Sequence, residues 1–331
     1  MSYAGPEFDL NDLQSGWVVS SPSFAAMIAM IFSGRLSDVV GRKKILIVVA
    51  FLYAISALFS AYATSYDMLY IARMIGGLAF GAALVLAPTY IAEISTAENR
   101  GKLVSIQQLN IVLGFFAAFL SNYYFNKYNT SGSSFFTDEN VWRWMLGVEL
   151  IPAVLYFVFL FFIPKSPRWL FTKNRNEEAK QVLISVYGEV KANEETNTIL
   201  NSLEGTFTKL ADKVKLKDLF KPALRFVLTV GLVVGILQQI TGINAVYFYA
   251  TSIFKQTGIG TDAAFASGIL LSSITVLFTF VAMYLIDRMG RRPLLLIGTV
   301  GIAVSLLLCA YGFKQATYQL TSEAIAELQF E

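Results

Sequence analysis

Asp38-Val39-Val40-Gly41-Arg42-Lys43 returns far down the chain as Asp287-Arg288-Met289-Gly290-Arg291-Arg292. Both copies read Asp, two residues, Gly, Arg and a second basic residue, and each lies between two long apolar runs. The glycine permits a tight turn. The aspartate can receive exposed amides or an arginine at a neighbouring helix end. A generic basic hairpin accounts for the arginines and lysines, but not for a repeated Asp-x-x-Gly-Arg. Two copies on either side of a long polar segment imply a duplicated bundle of helices.

The composition agrees. Of 331 residues, 55% are hydrophobic and only 15% charged, where a soluble domain carries about 25%. Eight apolar stretches are long enough to cross a bilayer: 15–34, 44–62, 68–92, 102–121, 143–163, 222–253, 263–286 and 293–313. The sixth is too long for one straight crossing and predicts a break or a tail. The fold class is therefore all-α and polytopic, with the lipid bilayer as solvent. Residues 1–14 carry Glu7, Asp9 and Asp12 and do not read as a signal peptide. One cysteine, Cys309, excludes an internal disulfide, and there is no histidine. Proton chemistry would have to use carboxylates. The sequence shows no basic face with stacking aromatics for nucleic acid. It shows no nucleophile–base pair, phosphate loop or metal cluster either, so an enzyme, a cofactor and a bound metal are not expected.

Basic residues choose the orientation. The hairpins and the polar segment 164–221, with its flank, hold 21 of the 26 lysines and arginines; the opposite loops hold 4, and Arg73 lies inside a span. The basic side is read as cytoplasmic, which puts both chain ends outside. The polar segment reads as short amphipathic helices, with strong helix formers over 176–183.

A second stretch carries the chemistry: Gln238-Gln239-Ile240-Thr241-Gly242-Ile243-Asn244. Three amides at membrane depth are costly unless they find partners. Packing between helices is one explanation. The other is a wet cavity that binds a solute rich in hydroxyl groups, since amides donate and accept as hydroxyls do. At about 100° per residue, Asn244 would lie roughly 140° from Gln239 on an unbroken helix. A loosening at Thr241-Gly242 is therefore predicted, turning Asn244 toward the other amides. Arg73, within a span, calls for a partner, and Glu149 is the carboxylate well inside another span. Pro22 predicts a kink in the first span, and nothing in the sequence gives it a role.

With these residues stand Arg73-Met74-Ile75-Gly76-Gly77, Pro88-Thr89-Tyr90-Ile91-Ala92-Glu93, Arg100-Gly101-Lys102-Leu103, Gln107-Gln108 and Pro164-Lys165-Ser166-Pro167-Arg168-Trp169-Leu170. In that order the set resembles the sugar porters of the major facilitator superfamily, over nearly the whole chain. The resemblance implies twelve spans in two halves, of which this chain would match helices two to nine, as a fragment would. It implies a first bundle over 1–163, a cytoplasmic linker over 164–221 and part of a second bundle over 222–331. It implies a monosaccharide substrate between the halves, held by Gln108, Gln238, Gln239 and Asn244, with Phe248, Tyr249 and Thr275 close by. Two departures stand out: Phe248 replaces a tyrosine that closes over sugar, and Thr275 replaces a frequent asparagine.

In proton-coupled members an acid on helix one carries the proton. The resemblance thus assigns Arg73 to coupling, with Glu149 as relay or counter-charge. Asp38, Arg42, Glu93, Arg100, Arg168, Asp287 and Arg291 would form cytoplasmic ion pairs that hold the outward-facing state. Lys165 stands where the family usually has glutamate; either the outward state is less favoured, or another acid such as Glu177 compensates. The implied function is sugar–proton symport by alternating access in the cytoplasmic membrane, each monomer with its own pathway. A sugar facilitator and a transport-silent sugar sensor are the alternatives.

Overall fold

The computed structural model describes residues 4–96, 99–130, 136–137, 139–207, 222–248 and 261–315, and every described element is a helix or a turn. It divides into two compact units, 1–111 with 124–219, and 112–123 with 220–331.

In the first unit, α1 (Ala4–Glu7) leads to α2 (Asp12–Val40), α3 (Arg42–Ala61) and α4 (Tyr66–Ile94). Asn11 starts α2 through a capping box: its side chain accepts from Gln14 N at 2.8 Å, and Gln14 Oε1 accepts from Asn11 N at 3.1 Å. Ser65 caps α4 by its side chain alone, Oγ accepting from Met68 N at 3.3 Å. α2 packs along α4 because α4 offers Gly77 and Gly81 one turn apart. A Cβ on Gly77 would lie 2.3 Å from Pro22 O, and one on Gly81 2.2 Å from Ala26 O. Small residues at that spacing let helix backbones approach closely. Pro22 thus sits in the tightest part of this crossing. Its ring leaves Val18 O without the helical donor, and Ser21 Oγ donates there instead, at 3.4 Å.

α5 (Arg100–Thr130) outruns the expected span 102–121 and contributes its middle, 112–123, to the second unit. α6 (Val141–Gly147) and α7 (Leu150–Phe162) together make the span read as 143–163. Pro152 separates them. It cannot donate to Val148 O, which accepts from Ile151 N at 3.2 Å, a three-residue step. The core of this unit comprises Ile45, Leu46, Val49 and Ala50 of α3, Ala79, Ala82, Leu86 and Tyr90 of α4, and Leu160 of α7. Large apolar side chains such as Phe51, Phe59, Phe159 and Phe162 face outward, as a bilayer requires.

The polar segment forms α8 (Pro167–Thr172), α9 (Asn176–Tyr187) and α10 (Glu189–Phe207). These are the expected amphipathic helices, and they have a core of their own: Trp169, Leu170, Phe171, Ala179, Leu183 and Ala192.

The second unit holds α11 (Pro222–Ile240), α12 (Ile243–Phe248), α13 (Thr261–Met289) and α14 (Arg291–Gln315). Gly268 of α13 admits the Phe119 ring, whose nearest carbon would lie 2.5 Å from a Cβ there. Gly41 and Gly290, the glycines of the repeated hairpin, both take positive φ, 105° and 80°. Among the described residues, seven helical segments are long and apolar enough to cross a membrane, and Leu224–Ile240 is an eighth, shorter apolar run. It is short because the expected break is real.

Candidate functional site

The amide stretch is built around that break. Thr241 N still donates to Leu237 O at 3.2 Å, but Gly242 N reaches back only to Gln239 O, at 3.1 Å. Gly242 has φ of 75°, a conformation that costs glycine little. α12 then restarts, with Val246 N on Gly242 O at 3.1 Å. The turn brings Asn244 to Gln239, and Asn244 Nδ2 donates to Gln239 Oε1 at 2.8 Å. Gln238, Gln239 and Asn244 all remain exposed. A pair of amides joined this way keeps donors and acceptors for a ligand.

Beyond Asn244, Tyr247 shares a hydrogen bond with Thr275 on α13. Its ring stacks on Phe115 of α5, centroids 5.7 Å apart and planes at 24°. The sequence reading named Thr275 as a residue near the sugar but not as a partner of Tyr247, and it passed over Phe115. They lie far from Tyr247 along the chain, and no local pattern joins them. The side chain of Phe248, and Tyr249 altogether, lie outside the described residues, as do the side chains of Asp287 and Arg291.

In the first unit, Arg73 and Glu149 line one cavity of about 170 Å³ with Pro22, Tyr53, Ser56, Phe80 and Ala153. Glu149 occupies the N-cap position of α7, so the Pro152 break is what places a carboxylate there. Among the described residues no ion pair joins Arg73 to Glu149; they share a space rather than a bond. Ser56 Oγ donates to Ala72 O at 2.7 Å, one residue before Arg73. Gln108 of α5 is exposed, and its neighbour Gln107 has a buried Oε1 with no hydrogen-bond partner among the described residues.

The charged set at the ends of α2 and α4 is assembled. Arg42 Nη2 lies 2.6 Å from Asp38 Oδ1 and 2.9 Å from Glu93 Oε1, and its Nη1 donates to Ser37 O at 3.2 Å. The other Glu93 oxygen accepts from Ser166 Oγ at 2.6 Å. Trp169 Nε1 donates to Asp38 O at 3.0 Å, and Tyr90 Oη to Pro164 O at 2.9 Å. Arg100 and Arg168 are exposed and make no ion pair among the described residues. Lys165 pairs not with Glu177 but with its neighbour: Lys165 Nζ lies 2.8 Å from Glu178 Oε1, and Arg175 pairs with the other oxygen. One step along α9 turns a side chain by about 100°, which is enough to choose between adjacent glutamates. Hydrogen bonding to Lys165 holds the Glu178 carboxyl below its ordinary value, helped by the charges of Lys165 and Arg175 against some burial.

Comparison with known proteins finds relatives over nearly the whole chain. A family model described as "Sugar (and other) transporter" covers residues 3–326. The arabinose-proton symporter of Bacillus subtilis is 37% identical over 315 residues, 95% of this chain and 66% of its own length. The major myo-inositol transporter IolT of the same organism is 37% identical over 304 residues, 91% of this chain and 62% of its own. The chain therefore spans slightly less than two thirds of these relatives. The xylose transporter XylE from E. coli, in a partially occluded inward-open conformation, superposes with a TM-score of 0.78 at 30% identity, covering 96% of this chain and 71% of that one.

Proposed function

The chain belongs to the sugar (and other) transporter family, a family of membrane carriers rather than enzymes, and we propose that it serves a secondary carrier of a monosaccharide, moved together with a proton by alternating access. The observation that carries the reading is the broken helix at Gly242. It joins Asn244 to Gln239 and leaves three amides exposed in one short stretch. Neutral amides suit a neutral polyol, because no charge has to be desolvated on binding. Gln108 is the proposed contribution of α5. The proton part rests on Arg73 and Glu149, which face one cavity without being locked into a pair. The similar Bacillus subtilis protein is an arabinose-proton symporter, which supports the same choice.

The proposed layout keeps a first bundle over 1–163, a cytoplasmic linker over 164–221 and a partial second bundle over 222–331, in the cell membrane. The excess of basic residues on the hairpins and linker supports that orientation.

Uptake of labelled xylose and glucose into proteoliposomes tests the proposal. Accumulation driven by an inward proton gradient is expected. Truncation by Gln238→Ala removes one or two hydrogen bonds at about 1 kcal/mol each, so affinity should fall roughly five- to thirtyfold. Equilibration without accumulation, still weakened in the variant, would make the protein a facilitator. Absence of uptake for both sugars would overturn the monosaccharide reading.

A further inference from the structure

Tyr247 lies on α12, a helix of only six residues that follows the break. So short a helix cannot hold itself together in isolation, so its position depends on what its side chains touch. Tyr247 makes two such contacts. Its hydroxyl meets Thr275 Oγ1 on α13, and its ring stacks on Phe115. All three residues belong to the same compact unit.

The hydrogen-bond direction follows from proton counting. Thr275 Oγ1 donates to Leu271 O at 2.9 Å. A hydroxyl has one proton, so Thr275 accepts and Tyr247 donates. Thr275 then has its proton committed to the backbone and one lone pair to Tyr247. It has little left to offer a sugar, although it occupies a position where the family resemblance implies a ligand. Asn244, three residues before Tyr247, lies on the same side of α12 by helical spacing and reaches Gln239 across the break.

We propose that Tyr247 is a positioning residue. Anchored by Thr275 and Phe115, it fixes α12 so that Asn244 stays beside Gln239, and Thr275 acts as its partner rather than as a sugar ligand. The effect on affinity rests on the carrier reading above; the anchoring of α12 does not.

The test uses the purified protein with Tyr247→Phe, Thr275→Val and the two combined. In proteoliposomes each single change should raise KM for labelled xylose about fivefold, the worth of one hydrogen bond near 1 kcal/mol, with the maximal rate much less affected. The double variant should be no worse than either single one, because all three lack the same bond. Thr275→Ser, which keeps the hydroxyl, should restore KM toward the parent value. Amide hydrogen exchange over residues 243–248 should quicken in both single variants. A raised KM in Thr275→Val with a parental KM in Tyr247→Phe would overturn the proposal, because Thr275 would then touch the sugar itself. Additive effects in the double variant would also overturn it. Unchanged exchange would remove the anchor even in a protein that moves no xylose, whereas failure of uptake in the parent would sink the carrier reading alone.

Discussion

Gly41 meets two demands at one position. Its φ of 105° lies where L side chains are strained, and a Cβ there would come within 3.1 Å of the Trp169 ring. Trp169 cannot retreat easily, since it is mostly buried and its Nε1 is bonded to Asp38 O. Gly290, its counterpart in the second copy, has φ of 80° with open space around it. Gly290→Ala should therefore cost only backbone strain, about 1–2 kcal/mol. Gly41→Ala should cost that much plus overpacking, about 1–3 kcal/mol more. Thermal unfolding in detergent, run on both variants side by side, checks the difference; equal losses would mean that the indole yields. The repeat and its glycines were readable from sequence because turn geometry is local. The break at Gly242 was readable as well, since helical phase alone separates Gln239 from Asn244. Pro152 was equally visible, and its effect on Glu149 follows from the same backbone rule, yet an apolar run of span length hides it. The choice of Glu178 over Glu177 and the Tyr247–Thr275 bond were not readable. Both depend on how one helix is rotated against another, which sequence periodicity does not fix.

Among the elements, α8, α9 and α10 pack as a group and onto the helices before them. The three share a core, and α8 is joined to α2 and α4 through Trp169 and Ser166. Lys165, at the exit of α7, closes this arrangement on Glu178 of α9. Because pairing lowers the Glu178 carboxyl below its ordinary value of 4.5, its stabilisation is complete above that pH. It is lost as the pH falls through the lowered value. Stability of the α8–α10 segment should thus decline as the pH falls below about 4.5, and Glu178→Gln should remove part of that slope. Partial exposure of the pair keeps the effect small. Melting curves followed across this pH range are the check, and a slope unaltered in Glu178→Gln would mean that other carboxylates carry it. Lys165→Glu with Glu178→Lys should recover the pairing that either change alone destroys.

At the scale of the whole molecule, proton coupling needs an ionisable group whose charge depends on the transport state. A rigid, fully bonded ion pair is poorly suited to that role, because separating its partners in a buried setting is costly. Arg73 and Glu149 are arranged differently. They line one cavity large enough for water, and Glu149 stands at the N-cap of α7. In the proposed symport Glu149 is a relay with no strong bond to break first, and the guanidinium biases its proton exchange through space. Removing the guanidinium should uncouple the two fluxes while leaving the amide stretch intact. Arg73→Ala is therefore expected to lose most of its gradient-driven accumulation, by roughly tenfold if the bias is near 1.4 kcal/mol. It should still exchange labelled for unlabelled sugar across the membrane. Measuring both fluxes against pH decides the matter. A variant that keeps the parental pH dependence would show that Arg73 serves only to hold the helices, and one that also loses exchange would show that it supports the sugar path itself.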